Sequence, residues 1–329
     1  MKQTFQNKYD IPISLALWLA TDEYEYSDIP NTISATTLLK PLKAIILGLQ
    51  FPSSKRETDI YDLLSARMGT SIHNSIEKAW LHSGDIKERL LALKYPKQLI
   101  DRIVINPQTK EEIKDKIPVY IEQRYTKALN DFNITGQLDF CFNGMLDDFK
   151  STSVYSWIFG GKDDDYKKQG SIYKWISPTI ITEYIFNIRY IFTDWSKAKA
   201  RQDKNYPQQR ILTKEIPLMS TQETEVFINN ILQQIKKHIT SPQTHLPQCT
   251  PTELWQDAPV WKYYKDRTKM ARSTKNFNNG AEAQKRFVDD GSIGLIIYKP
   301  GTVKRCLYCS VMDICQQAQN YIETGLLEV

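Results

Sequence analysis

The sequence predicts an α/β fold: a central mixed sheet flanked by helices, followed by a cysteine-rich C-terminal subdomain. Three stretches carry that prediction. Residues 134–152 alternate apolar and polar side chains on both sides of Asn143-Gly144, the dipeptide best suited to the two positive φ angles of a tight hairpin turn. Residues 59–83 repeat apolar side chains at 60, 63, 64, 68, 72, 76, 79 and 80, which is a helical period. Residues 183–195 and 210–218 are short runs rich in Ile, Phe and Tyr or alternating in polarity, and read as strands.

Composition sets the limits. The chain has 329 residues, 41% of them hydrophobic and 25% charged, which is ordinary for a soluble globular protein of one large domain with an appendage. A net charge of +5 excludes a globally basic polyanion binder, so any nucleic-acid surface must be local. No apolar run approaches the roughly 20 residues that span a bilayer. Residues 1–10 lack the apolar core of a signal peptide. The expectation is an intracellular, cytoplasmic protein with no membrane segment. A phosphate-binding Walker loop is missing, which excludes an ATP-driven helicase. The sequence divides into an N-terminal helical region (1–58), a core (59–240) and a C-terminal subdomain (241–329).

In order, residues 11–20 form an apolar opening, followed by the acidic, tyrosine-rich stretch 22–28. Residues 34–47 look helical, with a break at Pro41. The helix over 59–83 carries His73 one position from its apolar stripe, where it is either packed or a ligand. Residues 84–130 read as charged helical pieces; residues 117–125 are a strand or a helix. Glu122 there either stands behind the site or is solvated. Residues 163–175 read as a helix with acids in its first turn, placing Gln169 and Tyr173 on one face. Residues 197–207 are a basic polar loop. Ser220-x-x-Glu223 caps a helix reaching about residue 239, and Thr250-Pro251-x-Glu253 is a second capping signature. Residues 261–272 interleave aromatics with cations, as either a stripe for single-stranded nucleic acid or a twisted strand with a basic outer face. A short helix over 279–287 and a buried strand over 293–298 follow.

The hairpin has a chemical consequence. With Asn143 and Gly144 as the turn, Asp139 lies opposite Asp148, and Gln137 opposite Lys150. Alternation then puts all four on one face. Opposed carboxylates repel, and a bound divalent cation is the natural compensation. Two acids hold Mg²⁺ or Mn²⁺ through hard oxygen ligands. Such an ion polarises a phosphate and lowers the pKa of a bound water, while Lys150 orients that water or stabilises the developing charge. This set suits a metal-dependent phosphodiesterase; the competing reading is a surface hairpin with a cross-strand salt bridge.

Of five cysteines, Cys141 is read as core. Cys306-x-x-Cys309, Cys315 and the distant Cys249 read either as a ligand set for Zn²⁺ or a 4Fe–4S cluster, which would staple residues 249–315 together, or as unrelated buried thiols.

Four short motifs occur in series: Gly69-x-x-x-His73, Gly136-x-x-Asp139, Asp148-x-Lys150 and Gln169-x-x-x-Tyr173. The series resembles the PD-(D/E)XK nuclease superfamily. More narrowly, it is similar to its RecB-type branch, which includes the iron–sulfur CRISPR-associated and AddB-type exonucleases. The chain departs from that pattern in two places. Leu138 stands where the family has a proline before the first acid, and no N-terminal cysteine is present where many relatives supply one to the cluster. The resemblance implies a restriction-endonuclease-like core and a divalent-metal-dependent deoxyribonuclease. It implies exonucleolytic action on single-stranded DNA ends, with endonuclease side activity, in recombination, repair, phage DNA processing or CRISPR adaptation. Protein partners and oligomers accompany such roles. It also implies His73, Asp139, Asp148 and the Phe149 carbonyl as ligands of Mg²⁺ or Mn²⁺, Lys150 as the group assisting the water, and Gln169 and Tyr173 as residues positioning the strand. The cysteine tail is then a 4Fe–4S site, with Zn²⁺ as the alternative. The rival from another class is a catalytically inactive nucleic-acid-binding or scaffolding protein on the same fold; the intact Asp139, Asp148 and Lys150 argue against it.

Overall fold

Asn143 (φ 49°) and Gly144 (φ 87°) both adopt the left-handed backbone that the hairpin turn demands. The computed structural model describes residues 5–21, 29–52, 58–82 and 84–328; the acidic stretch 22–28 and Ser83 lie outside them. The chain divides into two units, one of residues 5–40 and 57–234, the other centred on residues 41–56 and 235–329.

The larger unit is built on a seven-stranded mixed sheet. Its strands are β1 (Thr32–Ser34), β2 (Ile103–Ile105), β3 (Ile117–Leu129), β4 (Phe132–Phe142), β5 (Met145–Thr152), β6 (Ile185–Phe192) and β7 (Ile211–Pro217). The order is β2-β3-β4-β5-β6-β7, with β1 also on β4. Strand β5 is antiparallel to β4 and parallel to β6. Residues 117–125, readable as strand or helix, belong to the long strand β3. The hairpin register is the expected one: Phe140 faces Asp147 and Phe142 faces Met145.

The helices flanking the sheet include α1 (Leu64–Leu81), α2 (Asp163–Ile176) and α3 (Thr221–His238). Helix α1 starts five residues later than the periodicity suggests. Asp59 does not begin it; its carboxylate caps a 3₁₀ turn over Ile60–Leu63 through the Tyr61 N–H and also accepts from Lys8 N. Trp80 of α1 packs on a cluster of Val119, Ile121 and Phe140. Burying side chains of this size stabilises by roughly 1.5–3 kcal/mol each. Helix α2 lies close to the sheet at Gly170, where a Cβ would come within 2.5 Å of the Phe186 ring. The capping box is present: Ser220 N donates to Glu223 and Glu223 N to Ser220 Oγ. Residues 197–207 are not a bare loop. They contain the helix Lys197–Gln202, capped by Ser196, and the buried Tyr206, whose hydroxyl accepts from Ser196 N.

The smaller unit joins the helix Leu42–Gln50 to the C-terminal part. Sequence position assigns that helix to the N-terminal region, but Ile46 and Leu47 are fully buried with Leu246, Leu254, Val303 and Met312. The unit carries a three-stranded antiparallel sheet of β8 (Val260–Tyr264), β9 (Lys275–Phe277) and β10 (Leu295–Lys299), with β8 central. Helix α4 (Gly280–Asp289) is capped by Asn279, and α5 (Gln316–Glu323) closes the tail. Two expectations are corrected. Strand β10 is an edge, with Leu295 and Tyr298 exposed, because only β8 pairs with it. The Thr250–Glu253 box forms, but it closes a single turn, ended by Trp255 at φ 50°.

Candidate metal-binding active site

The site lies where β4 loses its neighbour. Along one edge β4 pairs with β3 almost throughout, from Phe132 to Phe142. Along the other, β5 takes Phe140–Phe142 and β1 takes Asn133–Thr135. Residues 136–139 face a gap in the sheet, and this is the Gly136-x-x-Asp139 motif. Gly136 leaves room for the Tyr173 ring, since a Cβ there would meet it at 2.7 Å. Asp139 fills the far end: its Oδ2 accepts from Phe149 N at 3.2 Å. A side chain thus replaces the strand-to-strand hydrogen bond at that point.

Helix α1 supplies His73. Its Nε2 lies 2.8 Å from the Phe149 carbonyl and its Nδ1 3.4 Å from Asp139 Oδ2. Gly69, one turn earlier, faces Ser151 of the same strand. Glu122 of β3 brings a third carboxylate. Ligand atoms of His73, Glu122 and Asp139 all lie within 4.8 Å of one another.

Asp148 is buried, 3% exposed. Lys150 Nζ pairs with its Oδ2 at 2.5 Å. Burial, and then the Asp148 charge, hold the Asp139 carboxyl well above the usual carboxylate range, against the pull of His73 and Lys150. Burial opposes the Lys150 charge, but Asp148 and Asp139 outweigh it and hold the ammonium above the usual lysine range. The donor set is carboxylate oxygens, a main-chain carbonyl and an imidazole. It fits a hard divalent cation such as Mg²⁺ or Mn²⁺.

The neighbouring Asp147 has a different fate. Asn187 and Arg189 donate to its carboxylate, Arg189 through both Nε (2.9 Å) and Nη2 (3.1 Å). Alternation turns it away from Asp148, and its charge is spent on holding β5 to β6.

Gln169 and Tyr173 are bonded to each other, Nε2 to hydroxyl at 2.9 Å, with the Tyr173 ring on Gly136. On α2 the charge of Asp148 is felt at Tyr166, whose phenol interacts with that of Tyr190, the β6 partner of Lys150. Burial raises both phenols above their usual range, so they stay protonated donors. Sequence reasoning misses Tyr166 and Tyr190 because nothing in the spacing of 148, 150, 166 and 190 ties them together before the strands are registered. Gln137, expected opposite Lys150, instead donates to Glu122 and accepts from Arg124, because β5 has left β4 by that point.

The four C-terminal cysteines converge, all as free thiols. Cys306 and Cys315 are buried in one apolar cluster with Cys249 and Cys309 packed against it. Burial, then Glu253 and the neighbouring Cys315 and Cys306, push the Cys249 thiol up to about 12; burial and then Cys309 and Cys315 push Cys306 up to about 11. Lys43, only 2% exposed, donates to Gln248 at 3.0 Å, and its charge favours the Cys249 thiolate. Cys141 is fully buried and donates to the Ile180 carbonyl, a core residue as expected. The aromatic–basic run 261–272 does not present its rings as a stripe. Tyr263 is fully buried with its hydroxyl on Asp290 and the Ile293 carbonyl, and Tyr264 is buried beside it.

No helix among the described residues is long and apolar enough to cross a membrane. No protein-family model matches the sequence, and no curated protein matches it. Among solved structures, the crystal structure of SSO0001 is similar with a TM-score of 0.37 and 15% identity, over 64% of this chain and 78% of that one. A likeness of that degree assigns neither family nor activity.

Proposed function

We propose that this chain is a divalent-metal-dependent deoxyribonuclease of the PD-(D/E)XK superfamily, RecB-type branch, acting exonucleolytically on single-stranded DNA ends inside the cell. The observation that carries the reading is the meeting of His73, Glu122 and Asp139, whose ligand atoms lie within 4.8 Å of one another, beside the buried Asp148–Lys150 pair at a gap in the sheet. Two carboxylates crowded there are costly for a protein that uses them for nothing, because burying like charges together raises the free energy of both.

Asp139, Asp148, the Phe149 carbonyl and His73 would hold Mg²⁺ or Mn²⁺, which when bound supplies a Lewis acid for the phosphate and a water of lowered pKa. Asp148 and Asp139 favour the charged form of Lys150, whose ammonium would neutralise charge that builds on the phosphate oxygens. The hydroxyls of Tyr166 and Tyr190 remain protonated beside Asp148 and Lys150 and offer hydrogen bonds to the same charge. Hydrolysis would join a water oxygen to phosphorus as the bond to the leaving sugar oxygen breaks, the water's proton passing to solvent and the sugar oxygen leaving with a proton from solvent. Asp139 and Asp148 fix where that happens.

The C-terminal thiols would ligate a 4Fe–4S cluster, a role supported by the Cys306-x-x-Cys309 and Cys315 spacing and by a buried ammonium beside an anionic ligand set. Recombination, repair, phage DNA processing and CRISPR adaptation all supply single-stranded ends for such an enzyme.

The test is purified protein with Mn²⁺ and end-labelled single-stranded DNA. Cleavage is expected, and Asp148→Ala and Lys150→Ala should each lower the rate by about 10³-fold or more while DNA binding persists, because phosphate and base contacts are made by other groups. Turnover near wild type in either variant overturns the assignment. DNA binding by wild type with no cleavage under Mg²⁺ or Mn²⁺ marks a scaffolding protein instead.

A further inference from the structure

Lys43 is only 2% exposed, so its ammonium does not reach water along the stem as surface lysines do. The helix that carries it, Leu42–Gln50, belongs to the smaller unit and buries Ile46 and Leu47 in that unit's core. Each end of this helix is tied to the C-terminal part by one long side chain. At its last turn the neutral Gln50 Nε2 donates to the carbonyls of Ile239 and Ser241, at 2.8 and 2.9 Å. At its first turn Lys43 Nζ donates to Gln248 Oε1 at 3.0 Å. The first tie works without a charge. The second buries a cation against a neutral amide.

An ammonium has three donors and a full charge to satisfy, and burying it without an anion is costly. Among the described residues the hydrogen-bond partner of the Lys43 ammonium is Gln248 alone, and no carboxylate pairs with it. Glu253, whose charge is felt at Cys249, spends its Oε2 on the N–H and hydroxyl of Thr250. The anion within reach of Lys43 is the cysteine set. Gln248 immediately precedes Cys249, the Lys43 charge is itself felt at Cys249, and Leu42 and Ala44 pack on the same apolar cluster as the four cysteines. As thiols these sulfurs are neutral and do not balance the ammonium. As metal-bound thiolates, four of them carry more negative charge than Zn²⁺, or an iron–sulfur core of equal charge, cancels.

Resting on the reading of the four cysteines as a metal–thiolate site, we infer that Lys43 is the resident counter-ion of that site, and that loading the site is what seats the helix Leu42–Gln50. Ligation releases the thiol protons. The negative charge left on the sulfurs then pairs with the ammonium. A buried charge that weakens the metal-free unit becomes one that strengthens the loaded unit. Lys43 binds neither metal nor substrate; it is a positioning residue. One substitution therefore has two signs: a neutral side chain at 43 relieves the metal-free protein and weakens the loaded one. A residue that only fills space, or only holds Gln248, would move both in the same direction.

The test uses the full chain, purified anaerobically and compared before and after metal removal under reducing conditions. The readouts are iron, sulfide and zinc content, the rate of metal loss to EDTA, the thermal midpoint, and deuterium uptake over residues 42–50. Lys43→Met is apolar and of similar length; Lys43→Gln keeps a hydrogen bond for Gln248 but no charge. Both should surrender metal to the chelator about tenfold faster than wild type. Their metal-free midpoints should equal or exceed that of wild type, and their loaded midpoints should fall below it. In wild type, loading should slow exchange over residues 42–50 by about tenfold, and in either variant it should change that exchange little. Metal in wild type, with retention unchanged in either variant, overturns this inference alone and leaves the cysteine reading standing. Metal-free midpoints lowered in both variants assign Lys43 to packing and also overturn it. A wild type free of iron, sulfide and zinc overturns the cysteine reading itself, and this inference with it.

Discussion

The acid site and the cysteine set gather groups of like charge by different routes. Asp139, Asp148 and Lys150 come from the two arms of one hairpin, whose backbone pairing ends at Phe140 and Asp147, so the expected Asp139–Asp148 rung is replaced by Asp139 on Phe149 N. The cysteines come from sequence-distant segments, and apolar packing around Leu246, Val303 and Met312 brings them together. Local geometry needs only the right turn residues. Convergence by packing needs the surrounding core to be complete, and a ligand that binds all four thiols then adds to the stability of that core. The two sites should therefore fail differently: loss of a hairpin acid removes chemistry from a folded protein, and loss of a cysteine removes structure.

The largest effect that tests this contrast is at the tail. Cys249→Ser, Cys306→Ser, Cys309→Ser and Cys315→Ser should each lose essentially all bound iron and sulfide in anaerobically purified protein, and residues 249–328 should become protease-sensitive. Cys141→Ser should change neither. Full iron in Cys249→Ser with loss in the other three would remove Cys249 from the set; zinc in place of iron would identify the alternative ligand.

A smaller effect is expected at His73. His73→Ala should weaken Mn²⁺ affinity by about tenfold, measured by calorimetry, and lower the cleavage rate less than Asp148→Ala does, because a neutral imidazole contributes less to a hard cation than a carboxylate. Excess Mn²⁺ should restore part of the rate. An unfolded variant that Mn²⁺ does not rescue would make His73 a packing residue.

The smallest effect is on stability. The folded-state pKa of Asp139 is raised above the unfolded value, to about 7. The folded form therefore holds this proton more tightly, and the associated stability, present below about pH 4, is lost as pH rises through the raised value. Metal-free wild type should lose thermal stability between about pH 4 and pH 8, and Asp139→Asn should lose less. At pH 8 the variant should melt higher, by about 5 °C, although it cannot cleave. A steeper pH dependence in Asp139→Asn than in wild type would show the carboxylate ionised in the free protein.

How much of the molecule is legible in the sequence follows the same divide. The hairpin, its register and the caps at Ser220 and Asn279 can be read because each depends on a few neighbouring residues. The left-handed Glu122 cannot be read, because a glutamate gives no local signal for φ 49° and the cause lies in Gln137 and Arg124 across the sheet. The assignment of Leu42–Gln50 to the C-terminal unit is hidden for a similar reason: the apolar face of a helix does not say which partner covers it. The run 261–272 is open to two readings, and of these the strand is the one formed at its start, with Tyr263 and Tyr264 buried in the central strand of a three-stranded sheet.

Strand β5 gives the active site a built-in reporter. Beyond Asp147 the strand has no β4 backbone to bond with, and the main chain of Phe149 is held instead by two side chains, Asp139 on its N–H and His73 on its carbonyl. These residues are surrogate rungs of the sheet ladder. Whatever occupies them changes the protection of a single amide. The rate at which the Phe149 N–H trades its hydrogen for deuterium is thus a direct gauge of the state of Asp139, readable in the intact chain without substrate or mutation.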